Sequence, residues 1–301
     1  MNPQTILRRV FIVGVPRSGT TLLQSLLAAH SEVTSFTESH LFAQHFTFLR
    51  GLSAPLLTRN PTRRVHEFLA ENNEAPGDAA RWFTVNGRRS LRSRLLLPFQ
   101  TRPVARQLLQ VLDELALDRG MPNWLEKTPR HLRYIPFLEQ VSDTGPRPHF
   151  IHVIRQGLAV VASLHEASSR WERAYDLESC IARWNSDLAY SLSRIQAPND
   201  HFVFYEELAS SPEAALERLL AELGLSWEPE ILERYGASVE TLTTPEEGWK
   251  AEVGRRIRPS ETWRQKLTSE QRDQITRGLR DSLYRELVEG AAQRSGKTGR
   301  F

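Results

Sequence analysis

The sequence predicts an α/β fold with a central, mainly parallel sheet, and three observations carry that expectation. Short runs that are apolar on both faces recur at Val10–Val15, Val33–Phe36, Phe150–Ile154 and His201–Tyr205. Helical apolar spacing fills the intervals between them. The 301 residues contain neither an internal repeat nor a long linker. Strands buried on both faces and alternating with helices are the pattern of βαβ units.

Each element has its own signal. Val10–Val15 (VFIVGV) is bounded by Gly-Val-Pro and reads as a buried strand. Thr20–Ala29 follows with apolar residues at helical spacing, and Val33–Phe36 is a second short strand. From Leu41 to about Gly120 the pattern is helical, broken by Pro55, Pro61, Pro76, Pro98 and Pro103. This stretch is expected to be a helical cover over the substrate. Phe150–Ile154 (FIHVI) is a third strand, with a helix over Gly157–Glu166. Asp176–Gln196 is a long amphipathic helix and His201–Tyr205 (HFVFY) a further strand. Ser211–Leu223 carries Pro212 at its first helical position and Gly224 just past its end. A single helix over Leu267–Leu287, capped by Thr268 or Ser269, closes the chain. The whole reads as one domain.

Composition excludes several classes. Hydrophobic residues make up 40% and charged residues 25%, which is ordinary for a globular chain. No apolar run approaches the roughly 18 residues of a membrane span, and Val10–Val15 is too short for a signal-peptide core. The single cysteine, Cys180, leaves no disulfide framework and no Cys-rich metal site. The expectation is a cytoplasmic protein without stable membrane insertion. Net charge is +3, yet ten arginines face four acids between Arg59 and Arg106. Such a field favours anionic ligands, although a solvated face with counterions explains it as well. No nucleic-acid motif accompanies it, so a DNA or RNA partner is not expected.

In open α/β sheets, ligands bind beyond the carboxyl ends of the strands. That rule directs attention to Pro16–Thr21, Thr37–His40, Arg155–Gly157 and Glu206–Leu208. The first of these is Gly14-Val-Pro-Arg17-Ser18-Gly19-Thr20-Thr21, between a strand and a helix. This is the setting of a P-loop, where backbone N–H groups and a helix N-terminus cradle phosphate oxygens. The G-x-x-x-x-G spacing is present, but Thr20 stands where a nucleoside triphosphatase carries Lys. Arg17 supplies a cation inside the loop instead. The expected ligand is a phosphate-like anion without Mg²⁺, held in a P-loop-like three-layer fold, and no metal site is expected.

Pro16–Leu22 (PRSGTTL) resembles the 5′-phosphosulfate loop of sulfotransferases that use 3′-phosphoadenylyl sulfate (PAPS). Phe150–Ser163 (FIHVIRQGLAVVAS) resembles that family's 3′-phosphate segment, with Arg155 ending the strand and Ser163 eight residues on. Tyr205-Glu206-Glu207-Leu208, followed by Ser211-Pro212-Glu213, is similar to a third family element. The three occur in family order over residues 10–224. The resemblance implies PAPS as donor, 3′,5′-bisphosphoadenosine (PAP) as product, and no metal. It implies that Arg17, Ser18, Gly19, Thr20 and Thr21 bind the 5′ side, and Arg155, Ser163 and Tyr205 the 3′ side. Gln156 and Leu158 stand where the family carries Asp and Arg, so one or two of those contacts are either absent or supplied by Arg170 or Arg173. Gly248–Lys266 loosely matches a C-terminal cofactor lid, expected over 245–266, with Arg255, Arg256 and Arg258 toward the 3′-phosphate and Trp249 or Trp263 to stack.

The resemblance also implies a catalytic set. Lys127, in Trp124-Leu-Glu-Lys127-Thr-Pro, resembles an active-site lysine suited to a sulfuryl oxygen; the plain alternative is a surface lysine paired with Glu126. The acceptor hydroxyl needs a general base within hydrogen-bond reach. Glu38 is spaced from Arg17 as in tyrosylprotein sulfotransferases. His131, four residues after Lys127, and His40 remain alternatives. Phe46, Phe48, Trp82, Phe83 and Phe99 are candidate walls of an acceptor pocket, or core. The acceptor is expected to be a small-molecule or lipid-like alcohol. Two rival functions stay open: a P-loop small-molecule or nucleotide kinase, and a PAPS-binding module without catalysis.

Overall fold

The computed structural model describes residues 5–89, 97–169, 174–242, 257 and 267–294. The elements begin with β1 (Arg8–Gly14), α1 (Thr20–Ala28) and β2 (Val33–Ser35). A short antiparallel pair, β3 (Phe46–Thr47) and β4 (Leu56–Leu57), precedes α2 (Thr62–Glu71), α3 (Asp78–Arg89) and α4 (Thr101–Asp118). Next come β5 (Asn123–Lys127), a 3-10 helix (Pro129–Tyr134), α5 (Ile135–Val141) and β6 (His149–Ile154). The rest is α6 (Gly157–Ser168), α7 (Leu177–Ser193), β7 (Asp200–Phe204), α8 (Tyr205–Ser210), α9 (Pro212–Leu223) and α10 (Ile231–Leu242), then α11 (Ser269–Gly278) and α12 (Asp281–Arg294). Five strands form the central sheet in the order β2-β5-β1-β6-β7. The mainly parallel α/β architecture expected from the sequence is present. The chain divides into two compact units, the first drawn from residues 1–12, 21–150 and 230–254, the second from 13–20, 151–229 and 255–301.

In the first unit, β5 pairs in parallel with both β1 and β2, in register from Arg8↔Asn123 to Ile12↔Lys127 and from Val33↔Asn123 to Ser35↔Leu125. The sequence reading assigned no strand to β5. Its residues NWLEK carry only two apolar side chains, yet all five are buried. Each polar one is buried because it has a partner: Asn123 donates to Glu32 O at 3.0 Å, and Glu126 and Lys127 are bonded as described below. β1 likewise starts earlier than its apolar run. Arg9, 3% exposed, forms a fork with Asp113 of α4, which also accepts from Trp124 Nε1 at 2.8 Å. Phe11, fully buried, meets Trp124 edge-on at 5.2 Å and stacks on Phe150 at 5.6 Å.

In the second unit, α6, α7, α11 and α12 bury one core, centred on Trp184 with Val160, Ile181, Leu188, Ile275 and Leu287. Asp176 caps α7 by accepting from Ser179 N at 2.7 Å, and Gly224 ends α9 in the left-handed region at φ 68°. The single closing helix expected over Leu267–Leu287 is two helices. Gly278 lies against Ile181 of α7, and Leu279 is extended. Asn185 replaces the broken helical bonds, donating to Gly278 O at 2.9 Å and accepting from Arg280 N at 2.8 Å. Thr268 caps α11 with a full capping box to Gln271.

Candidate active site

Two clusters gather the residues singled out in the sequence. The first follows β1. Ser18 N donates to Val15 O at 3.2 Å, making a tight turn between Gly14 and α1. Three residues of the loop hold positive φ: Gly14 at 142°, Arg17 at 75° and Gly19 at 96°. A Cβ on Gly14 would lie 2.7 Å from Val153 O, and one on Gly19 would strike the Tyr205 ring. Both glycines are therefore required by close approach as well as by conformation. Arg17 is strained for a side-chain-bearing residue. Its guanidinium is turned toward α6, where Nε donates to Ser163 Oγ at 3.1 Å.

Arg155 stands immediately after β6 and is 9% exposed. Its Nη1 donates to Arg17 O at 3.1 Å, and its guanidinium lies 3.9 Å over the Tyr205 ring. Burial pushes its pKa below the usual arginine range, partly offset by Tyr205 and Glu206. A desolvated cation in this position gains from an added anion. The Ser18 hydroxyl, fully buried, has no hydrogen-bond partner among the described residues. Thr20 and Thr21 open α1. Arg17, Ser18, Gly19, Arg155, Ser163 and Tyr205 thus come together around one loop.

The second cluster is built of side chains. Lys127 ends β5 at 2% exposure, and its ammonium donates to Glu38 Oε2. His40 Nε2 is 3.5 Å from Glu38 Oε1. Burial holds His40 below the ordinary histidine pKa, against the opposing pull of Glu38. Lys127 is therefore not the surface lysine of the alternative reading, and its partner is not Glu126. Successive strand residues point to opposite faces, so Glu126 turns the other way. There its Oε1 accepts from Ser39 N at 3.3 Å, Ser39 Oγ at 2.7 Å and Thr128 Oγ1 at 2.5 Å. Its Oε2 is 2.9 Å from His131 Nδ1, and Ala43 N donates to His131 Nε2 at 3.4 Å. Burial opposes the Glu126 charge, but His131, Thr128 and Ser39 outweigh it and hold its carboxyl below the usual carboxylate range. His131 lies in the 3-10 helix, fully buried. Its ring bonds Glu126, on the other face from Lys127.

The sequence reading missed Glu126, Ser39 and Thr128. The adjacent Glu126-Lys127 pair inside an apolar stretch was the available signal. The candidate acceptor walls divide: Phe46 and Phe83 are core, whereas Phe48 and Phe99 are 42% and 80% exposed. Four of the ten arginines in the basic window, Arg63, Arg64, Arg81 and Arg106, form ion pairs to Glu67, Glu71, Asp78 and Asp143. Arg255, Arg256 and Arg258, the 245–266 lid with Trp249 and Trp263, and Arg170 and Arg173 lie outside the described residues.

The first cluster offers backbone N–H groups, a buried hydroxyl and cations to an anion. The second holds a carboxylate between an ammonium and an imidazole, able to take a proton. The sulfotransferase family profile matches residues 9–229 and so spans both. The chain belongs to the sulfotransferase family. Protein-tyrosine sulfotransferase A of Caenorhabditis elegans is 23% identical over 231 residues, covering 74% of this chain and 51% of that one. Protein-tyrosine sulfotransferase 1 of Danio rerio is 28% identical over 233 residues, covering 74% and 55%. This sulfotransferase chain spans about half the length of those relatives. The sulfotransferase domain of the Synechococcus olefin synthase superposes with a TM-score of 0.55 at 17% identity, covering 98% of each chain. A mouse sulfotransferase complexed with PAP gives 0.51 at 11% identity, covering 95% and 88%. At these identities the structural likeness is one of fold. No helix among the described residues is long and apolar enough to cross a membrane, and no group of three metal-ligating side chains occurs among them.

Proposed function

We propose that the protein transfers the sulfuryl group of PAPS to an acceptor hydroxyl, with Glu38 as general base. The observation that carries this reading is the first cluster. It is a strand-to-helix loop without the triphosphatase lysine, in which the buried Ser18 hydroxyl lacks a partner and Arg155 is desolvated against Tyr205. These residues fit a bisphosphorylated adenosine. Arg17, the Ser18 hydroxyl and the N–H groups of Gly19, Thr20 and Thr21 would hold its 5′ side, Arg155 and Ser163 its 3′-phosphate. The donor supplies a sulfuryl group activated by its phosphate anhydride.

The chain's own residues supply position and charge. Glu38 takes the acceptor proton as the acceptor oxygen bonds to sulfur. The bridging S–O bond breaks with its electron pair going to the departing phosphate. Lys127, held by Glu38 before reaction, offers its charge to the sulfuryl oxygens. His131, committed to Glu126, is assigned to holding the Ser39 loop, and His40 to the side of Glu38 opposite Lys127. The protein-tyrosine sulfotransferases among the relatives support a phenolic hydroxyl as acceptor, alongside the alcohol expected from the sequence.

The test is transfer from labelled PAPS to a tyrosine-containing peptide, 4-nitrophenol and 1-octanol, in EDTA. Sulfation of at least one of the three is expected, together with a rise in melting temperature with PAP that exceeds that with Mg-ATP. Stabilisation by Mg-ATP alone, with Mg²⁺-dependent phosphate transfer, would install the kinase reading. Binding of PAP without turnover would leave a binding module.

A further inference from the structure

The segment that carries Glu38 is tied to helix α2 by a dense set of side-chain bonds. Arg64 of α2, its side chain 11% exposed, donates through Nη2 to Glu38 O at 3.0 Å and through Nε to Ser39 O at 2.9 Å. The same guanidinium forks onto Glu71, two turns further along α2, with Nη1 to Oε1 at 2.6 Å and Nη2 to Oε2 at 2.9 Å. Glu67 Oε2 stands 3.9 Å from Nη1. Glu71 Oε2 accepts from Thr37 Oγ1 at 3.2 Å, and Asn72, just past the helix, exchanges bonds with Thr37 N and Oγ1 at 3.1 and 3.0 Å. Residues 37, 38 and 39 follow β2 without regular structure, so these bonds, together with those of the Ser39 and His40 amides to Glu126 and Thr128, hold their main chain. Lys127 holds only the far end of the Glu38 side chain.

We infer that Arg64 is a positioning residue for the reaction, fixing the Glu38 backbone so that its carboxylate stays aligned with the acceptor hydroxyl. The inference rests on Glu38 being the base. Two carbonyls and a carboxylate are spanned by one planar fork, which a lysine ammonium cannot reproduce. A base displaced by about 1 Å loses much of its advantage.

Arg64→Lys keeps the charge and removes the fork. It should lower kcat by about 10-fold while leaving the PAPS KM and the PAP Kd within about 2-fold, using the fastest acceptor among the tyrosine peptide, 4-nitrophenol and 1-octanol. In a Glu38→Gln background the same change should cost less than about 2-fold, because both act through one carboxylate. By hydrogen exchange, the Ser39 and His40 amides, which donate to Glu126 and Thr128, should lose protection in Arg64→Lys. The amides of Val10–Ile12 should keep theirs. Should Arg64→Lys fail to fold, Glu71→Gln serves in its place, loosening the fork while Arg64 stays, with a smaller loss and the same non-additivity. An undiminished 10-fold loss in the Glu38→Gln background, or an unchanged kcat, overturns the positioning role. A Glu38→Gln variant as active as wild type overturns the base assignment instead, whatever Arg64 does.

Discussion

The two clusters are built from different materials. Around Gly14–Gly19 the shape is made by backbone: three positive φ angles, glycines where a Cβ would collide, and an aromatic ring beneath Arg155. Its polar groups are left with capacity, most plainly the Ser18 hydroxyl. Around Glu38 the shape is made by side chains. Glu126 alone receives Ser39, Thr128 and His131, and Lys127 and Arg64 grip Glu38 from its carboxylate and its carbonyl. The proposed roles fit this difference: a region that receives a charged ligand does best with unspent hydrogen bonds, since a buried polar group gains most when its partner arrives. By the same reading, a region that holds a base still does best to spend them in advance.

The contrast can be broken experimentally, and the largest effect belongs to the side-chain cluster. Glu38→Gln preserves shape but removes basicity. Turnover should fall by about 10²–10⁴ with PAP affinity nearly unchanged, as read by single-turnover kinetics and calorimetry. A comparable loss of PAP affinity would merge the two clusters functionally. Next comes Arg155→Ala, which should weaken PAP by about 1.5–3 kcal/mol more than it weakens adenosine 5′-phosphosulfate, which has no 3′-phosphate. Equal losses for both ligands would remove Arg155 from the 3′ side.

A pair of serines sharpens the comparison further. Ser39→Ala strips the hydroxyl bond from Glu126 and the acceptor of Leu41 N, and should destabilise folding by about 1–3 kcal/mol, measured by urea denaturation. Acid gives a fourth prediction. The Glu126 carboxyl is held below its ordinary value of 4.5. Its contribution to stability is therefore complete above that pH and is lost as pH falls toward the folded value, because the unfolded chain protonates first. Between pH 5 and 3 the unfolding free energy from urea denaturation should fall, by up to about 1.4 kcal/mol per pH unit from this group, and Glu126→Gln should flatten that slope. Smallest of all is Ser18→Ala. It should leave the unfolding free energy within about 0.5 kcal/mol, since no bond is lost, and reduce PAP affinity by about 1 kcal/mol. Destabilisation by Ser18→Ala as large as by Ser39→Ala would erase the distinction.

Much of this was legible in residue order. The loop after β1 announced itself because a phosphate cradle is local: glycines, a turn and a helix start lie within eight consecutive residues. Strands β1, β2, β6 and β7 were visible as apolar runs for the same local reason. β5 was not, because NWLEK is buried through long-range partners rather than through hydrophobicity. Arg8 and Arg9 disguised the start of β1 in the same way, and the break at Gly278–Arg280 depends on Asn185 of α7.

By itself the sequence determined the α/β alternation, the phosphate loop and the candidate set of Arg17, Glu38, Lys127 and Arg155, all carried by contiguous motifs. Only the tertiary structure decided which of these groups are bonded to one another. It paired Lys127 with Glu38 and Glu126 with His131, although Glu126 and Lys127 are neighbours in the chain, because strand geometry sends adjacent side chains to opposite faces. It also brought Arg64, 26 residues from Glu38, onto the carbonyl of that residue. A partner so distant leaves no periodicity or spacing to read, since burial of polar groups is settled by what the fold places beside them.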